Sequence, residues 1–289
     1  MSPIGEGAGK ATQSSEVDAA DYRFLQQFLM DSCGIVLGES KHYLVKNRLA
    51  SIMREFDLPS ISDLVAQLQR AHPATLRLKN RVIDAMTTNE TFWFRDEAQF
   101  DELKNTVLPD LLNRKPSTLR IWSAACSSGQ EPYSISICVE ELAVRKGSLP
   151  NRPVQIIGTD ISETMLAEAE RAVYTSSALA RGLTPELKQR YFHSAAEGFQ
   201  LNKAITQRVK FQNFNLLNPF TILGRFDIIF CRNVLIYFSN EIKTDILQRM
   251  AQVLENGGYL FLSSTETLPA GVSGFELVRG SHARYYRKI

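Results

Sequence analysis

The 289-residue chain lacks the marks of several specialised protein classes. Its four cysteines, Cys33, Cys126, Cys138 and Cys231, form no Cys-x-x-Cys pair. Nothing near Met1 has the basic-then-apolar layout of a signal peptide, so a reduced, cytoplasmic protein is expected. The four histidines, His42, His72, His193 and His282, lie too far apart for a local metal signature. No apolar run approaches the roughly 20 residues that span a bilayer, which argues against membrane insertion. Opposite charges nearly cancel at a formal +2, so bulk charge gives no argument for a nucleic-acid partner. Hydrophobic residues nevertheless make up 44% of the chain, ample for a core in each of two domains.

Residues 1–16 are mostly Gly, Ser, Ala and Thr, the composition of a disordered tail. From there to about Asn89 the pattern is helical only. Tyr22, Leu25, Phe28 and Leu29 form one stripe that ends before Gly34; Leu44, Val45, Leu49, Ile52, Met53 and Phe56 form a second. Two further helices are expected over 61–69 and 74–86. The reading is a helical domain at 17–88, a linker at 89–96 and an α/β domain at 97–289. In the last, helices at 97–112, 134–145 and 163–172 alternate with strands at 119–124 and 154–158. Further strands follow at 209–213, 226–230 and 259–263, with a terminal pair near 275–278 and 283–286. Such alternation implies right-handed crossovers and a mostly parallel, doubly wound sheet covered on both faces. The alternation breaks between 174 and 208. There Thr184 and Pro185 read as the N-cap and first position of a short helix, followed by short strands around 198–205, a small inserted β subdomain.

The residues with chemistry sit at strand ends. Trp122 to Ser134 is a strand that stops in small residues before a helix begins, which lets a ligand approach the backbone and its free N–H groups. Gly129 is the only glycine in that loop, whereas a dinucleotide fingerprint needs G-x-G-x-x-G, so a dehydrogenase is disfavoured. The strand at 154–158 runs into Thr159-Asp160, a carboxylate where nucleotide-binding sheets hold ribose hydroxyls. An acid without diphosphate-binding glycines suits a nucleoside without phosphates, of which S-adenosylmethionine is the commonest candidate. One strand away, Asn215-Leu216-Leu217 offers an amide and an apolar face for an adenine. The apolar run Phe226 to Phe230 leads directly into Cys231-Arg232-Asn233, polar groups at the carboxyl end of a buried strand.

Three segments, Thr87 to Asp96, Trp122 to Ser134 and Cys231 to Phe238, resemble in this order the three signature segments of the chemotaxis receptor methyltransferases, the CheR family. The resemblance extends over almost the whole chain; Phe92-Trp93-Phe94 departs slightly from the family's small or apolar residue followed by two phenylalanines. It implies an α/β class I S-adenosylmethionine-dependent methyltransferase fold carrying a small all-α N-terminal domain. It also implies a protein-glutamate O-methyltransferase acting on the cytoplasmic helices of methyl-accepting chemotaxis receptors and releasing S-adenosylhomocysteine. By motif, Asn89, Thr91 and Arg95 would contact the cofactor. Glu131 and Asp160 would hold its amino group and ribose, with the division between them open. Asn215, Leu216, Cys231 and Arg232 would complete the adenine and methionine ends. The family uses arginines on its second helix, matched here by Arg48 and Arg54. With Lys46, which lies within roughly 80° of Arg54 on a helical projection, they form a loose basic face for a glutamate-rich receptor bundle.

Such chemistry needs little machinery. A glutamate with a pKa near ~4.3 is already ionised, so it attacks a sulfonium methyl without a general base. Arg95 and Tyr237 are the candidates for orienting that carboxylate, as ion partner and hydroxyl donor. No metal is expected, no nucleic acid, and a monomer. The inserted subdomain has room for only a short hairpin, so receptors are expected to be read through their methylation helices, without a tail-peptide tether. Two rivals stay open: a methyltransferase for RNA or a small molecule, and a non-catalytic module that binds the cofactor or its product to regulate a receptor array.

Overall fold

The computed structural model describes residues 17–70, 72–114, 117–146 and 153–289, so the tail expected at residues 1–16 lies outside the described residues. The chain divides into two compact units, one with residues to Phe28 and Leu37–Met86, the other with Leu29–Val36 and Thr87–Ile289. The division falls inside the first helix, α1 (Ala19–Cys33); α2 (His42–Glu55), α3 (Ile61–Leu68) and α4 (Thr75–Met86) belong to the first unit. Helical spacing explains them. Tyr22 and Leu25 of α1 and Val45, Leu49 and Ile52 of α2 are buried, one apolar stripe per helix. Ser60 caps α3 by accepting the Asp63 N–H at 3.1 Å, a contact that contributes about 1 kcal/mol. Glu55 joins α2 to α4 through Arg77 and Arg81 at 2.8 and 3.0 Å.

The second unit is built on a seven-stranded sheet. Its strands are β1 (Leu119–Ala124), β2 (Val154–Asp160), β6 (Val209–Asn213), β7 (Phe226–Cys231), β8 (Leu254–Phe261), β9 (Phe275–Arg279) and β10 (Arg284–Lys288), ordered β6-β2-β1-β7-β8-β10-β9. The first five are parallel, and β10 runs antiparallel to both β8 and β9. Alternate side chains of the central strands feed two cores. Ile121, Ile228 and Phe230 pack on one face with Leu103, Leu108, Ile135 and Leu142; Trp122, Ile229 and Cys231 pack on the other with Ile246, Leu247 and Met250. Those on the first side belong to the π-helical stretch Leu103–Val107, which follows α5 (Glu97–Glu102), to α6 (Leu108–Arg114) and to α7 (Gln130–Lys146), and those on the other to α12 (Asn240–Val253). Burial on both faces is why β1 and β7 read as largely apolar runs, interrupted by Arg120 and Ser123 in the one and Asp227 in the other.

Two elements start four residues or more before the sequence expectation. α7 begins at Gln130 rather than 134, because Pro132 stands in the first turn, where its missing N–H leaves no intrahelical bond unmade. β8 begins at Leu254, directly after α12, and its pairing with β7 slips between Phe226 and Ile228. Gly258 lies there so close to the Asp227 carbonyl oxygen that a Cβ would meet it at 2.7 Å.

The insertion forms a second sheet of three short antiparallel strands, β3 (Val173–Tyr174), β5 (Gly198–Leu201) and β4 (Phe192–Ala195) in spatial order, with helices α8 (Glu163–Arg171), α9 (Ser176–Leu179), α10 (Pro185–Tyr191) and α11 (Lys203–Thr206) around it. Thr184 caps α10 and Pro185 opens it. The strand expected to reach 205 stops at Leu201, where Asn202 turns the chain by donating from its backbone N–H and its Nδ2 to the carbonyls of Tyr191 and Arg190. Trp93 is wholly buried in this subdomain's core, edge-on to Tyr174 and Phe192 at 5.0 and 5.2 Å. Gly182, at φ +83°, lies so near that a Cβ would come within 1.7 Å of the Trp93 carbonyl oxygen.

Gly182→Ala is therefore expected to lower stability by about 3 kcal/mol or more, combining left-handed strain with overpacking. Gly271→Ala is the control: φ is +100° but nothing lies within 4 Å, so only strain of about 1–2 kcal/mol remains. Equal losses for the two in urea denaturation would show that contact with Trp93 does not matter.

Candidate active site

β1 pairs with β2 on one side and β7 on the other, and at the carboxyl ends of these strands, where the connections turn to opposite sides, a cleft opens. Open α/β sheets bind ligands at this switch point. Three of the stretches that line it are 87–95 before the sheet, 125–131 after β1 and 232–238 after β7.

A single guanidinium ties the three together. The Arg232 side chain is 1% exposed; its Nη1 donates to Glu131 Oε2 at 2.9 Å and its Nη2 to Asp96 Oδ2 at 2.8 Å and to the Arg95 carbonyl. It lies 5.5 Å from the Phe100 ring centroid. The other oxygen of Glu131 accepts the Ser123 hydroxyl at 2.7 Å. Burial pushes the Glu131 carboxyl above the usual carboxylate range, with the Arg232 charge pulling the other way.

Asp160, at the end of β2, holds the loop after β1. Its Oδ2 accepts the Ser127 N–H at 2.7 Å and its Oδ1 the Ser162 N–H at 2.9 Å. The Ser127 hydroxyl donates to the Asn89 carbonyl at 2.8 Å. Five non-glycine residues around this cleft have positive φ: Phe94, Asp96, Ala125, Ser127 and Asn233, between 49° and 58°. Such conformations cost on the order of 1 kcal/mol each or more, and a cluster of them points to a functional site.

The other candidates fall as follows. Asn89, Thr91, Arg95, Leu216 and Tyr237 line the cleft. Arg95 Nη1 donates to the Glu90 carbonyl at 3.0 Å, and the Tyr237 hydroxyl has no hydrogen-bond partner among the described residues. Asn215 also lines it, with Nδ2 donating to the Ser32 carbonyl at 2.7 Å and Oδ1 accepting the Leu217 N–H at 3.0 Å. Cys231 does not line the cleft; it is fully buried among Trp122 and Ile229, and burial raises its thiol pKa. Lys46, Arg48 and Arg54 belong to the first unit, where Arg48 Nη1 donates to the Met86 carbonyl at 2.7 Å and Arg54 is exposed.

Sequence reasoning missed three contributors. Asp96 neighbours the recognised Arg95 but carries no sign of its ion pair. Glu266 accepts the Asn233 and Ser263 N–H groups at 2.9 and 3.1 Å, from a loop without any motif. Cys33 and Ile35 line the cleft from a stretch whose helical stripe reads simply as ending; Gly34 there, at φ +75°, signals a cap and not a ligand wall.

Residues 89–284 match the family described as CheR methyltransferase, SAM binding domain, and residues 20–87 match CheR methyltransferase, all-alpha domain. The chain is 45% identical over 269 residues to chemotaxis protein methyltransferase Cher2 of Pseudomonas putida, covering 92% of this chain and 97% of that one. It is 45% identical over 270 residues to chemotaxis protein methyltransferase 1 of Pseudomonas aeruginosa, covering 93% and 97%. The chemotaxis protein methyltransferase of Vibrio parahaemolyticus is 44% identical over 270 residues, covering 92% and 96%.

Arg232→Met would leave Glu131 buried without its counter-charge, and breaking such a pair costs about 3–5 kcal/mol. With the cation gone, the Glu131 pKa rises further, so the loss is expected to be largest at neutral pH and to shrink as acidification protonates the carboxyl. Urea denaturation at pH 7.5 and pH 5 tests this; a loss under about 1 kcal/mol at neutral pH contradicts the assignment of Arg232 as the central tie.

Proposed function

The chain belongs to the CheR methyltransferase family, and from that premise we propose that it moves a methyl group from S-adenosylmethionine to glutamate side chains of chemoreceptors, forming methyl esters. The observation that carries this reading is that Arg95 and Tyr237 line the same cleft as Glu131 and Asp160. Two acids stand ready for a ligand's amino and hydroxyl groups, and beside them are groups that can orient an anion but are not needed to remove a proton.

The residues fit a nucleoside joined to an amino acid. Asp160 and Glu131 offer carboxylates for ribose hydroxyls and an ammonium, and Phe214, Leu216 and Phe238 offer an apolar face for a base. Asn215 adds an amide, and Asn89 and Thr91 complete the wall. Cys231, being buried, contributes by placing Arg232 and Asn233. When bound, S-adenosylmethionine supplies an electrophilic methyl on a sulfonium centre. The protein's share is alignment: Arg95 holds the incoming carboxylate by charge, and the unpaired Tyr237 hydroxyl donates to one of its oxygens, leaving the other directed at carbon. Alignment of this kind can lower a barrier by roughly 7 kcal/mol or more. No step needs a metal or a general base, because the nucleophile arrives ionised. Lys46, Arg48 and Arg54 would read the receptor bundle by charge; of these Arg54 is the most available, since Arg48 is already engaged with Met86.

Incubation with radiolabelled S-adenosylmethionine and receptor-containing membranes should give base-labile counts on the receptor. Base-stable counts, or label on RNA or a small molecule, would favour another substrate class, and binding without transfer would favour a regulatory module. Within the working enzyme, Tyr237→Phe is expected to lower kcat at least tenfold while calorimetric affinity for S-adenosylhomocysteine stays within about twofold. Equal loss in both would reassign Tyr237 to cofactor binding.

A further inference from the structure

Arg181, in the insertion, stands against the linker that walls the cleft. Its Nη1 and Nη2 both lie 3.3 Å from Glu90 Oε1, and its guanidinium carbon is 4.3 Å from the Phe92 ring centroid, nearer than that of Arg95 at 5.5 Å. Glu90, Phe92 and Arg95 all line the cleft. The two side chains of the ion pair are 57% and 60% exposed, so the pair is weak and readily exchanged. Arg181 does not depend on Glu90 for its place. Stacking on Phe92 holds the guanidinium, and the close approach of Gly182 to the Trp93 carbonyl holds the backbone beside it.

Two guanidiniums flank one ring; Glu90 is the carboxylate in contact with Arg181, while Arg95 lies within the electrostatic reach of Glu131. Glu90 is, moreover, the same chemical group as the proposed substrate. We propose that Arg181 is a receiving residue for the substrate carboxylate at the mouth of the cleft, and that Glu90 occupies it until a receptor glutamate takes its place. This rests on the function proposed above and adds a residue and an internal competitor to it.

The reaction dictates the kinetic signature. The carboxylate oxygen forms its bond to the methyl carbon as the carbon–sulfur bond breaks, with the electron pair leaving on sulfur. An anion and a cation thereby become two neutral groups, so the carboxylate loses charge toward the transition state. A guanidinium that grips it is then worth no more in the transition state than in the bound complex, and its effect falls on KM rather than kcat. An exposed pair shifts such an equilibrium by up to about fivefold.

Steady-state methylation of receptor membranes by wild type and three variants tests this. Arg181→Gln should raise the receptor KM about three- to fivefold with kcat within about twofold. Glu90→Gln should lower KM by a similar factor, and the double variant should match Arg181→Gln, since Glu90 acts only through Arg181. An unchanged KM in Arg181→Gln, or a raised KM in Glu90→Gln, would overturn the assignment. Absence of base-labile methylation by wild type would instead refute the glutamate reading itself.

Discussion

The site depends on one buried guanidinium. Arg232 reaches in a single side chain the acid at the start of α7, the acid before α5 and the carbonyl of the residue next to it, so two stretches distant from each other and from Arg232 in sequence share one cation. Desolvating a charge so completely costs several kcal/mol unless its partners are in place. The cost makes the arrangement all-or-none: Glu131 is a carboxylate in a buried position only because Arg232 is there, and Arg232 tolerates burial only because Glu131 and Asp96 are.

The backbone around that charge is strained in a way that carboxylates relieve. Ser127 and Asn233 both sit in the left-handed region, and in each case the backbone N–H is received by a carboxylate, Asp160 for the one and Glu266 for the other. Charged acceptors form the stronger class of hydrogen bond, and these two hold the loops after β1 and β7 in shapes an unassisted chain would leave. The small residues of the loop after β1 are needed for the same reason, since the turn lies tightly between strand and helix. Gly129, at φ +90°, already has Ala169 within 2.9 Å of where a Cβ would stand.

The sheet was the most legible part of the sequence. β1 and β6 have the expected limits, and the end of β7 lies one residue beyond; β1 and β7 are buried and largely apolar, and β6, a partly exposed edge strand, alternates apolar and polar residues. Legibility failed where tertiary contact replaced local pattern. The start of α7 was hidden by Pro132, and the early start of β8 by a pairing slip that no periodicity records. In the site, residues at strand ends were legible because topology makes those positions special, and the linker residues through resemblance. Asp96, Glu266 and the stretch around Ile35 were not, since each enters the site by a contact across many intervening residues. Trp93, the one departure from the family pattern, is explained by the aromatic core of the insertion, where its larger ring is edge-on to Tyr174 and Phe192.

We propose that the Glu131–Arg232 pair forms the charged end of the cofactor site, with Glu131 facing the ligand's ammonium. The most direct test is calorimetric titration with S-adenosylhomocysteine between pH 8 and pH 4.5, in wild type and in Glu131→Gln. Because burial raises the Glu131 pKa, the carboxylate is lost on acidification before an ordinary glutamate would be, and an ammonium loses its partner with it. Wild-type affinity should fall with acidification while still above the usual carboxylate range, and Glu131→Gln should show a weaker, flatter profile. Equal affinities for the two proteins at every pH would contradict this assignment.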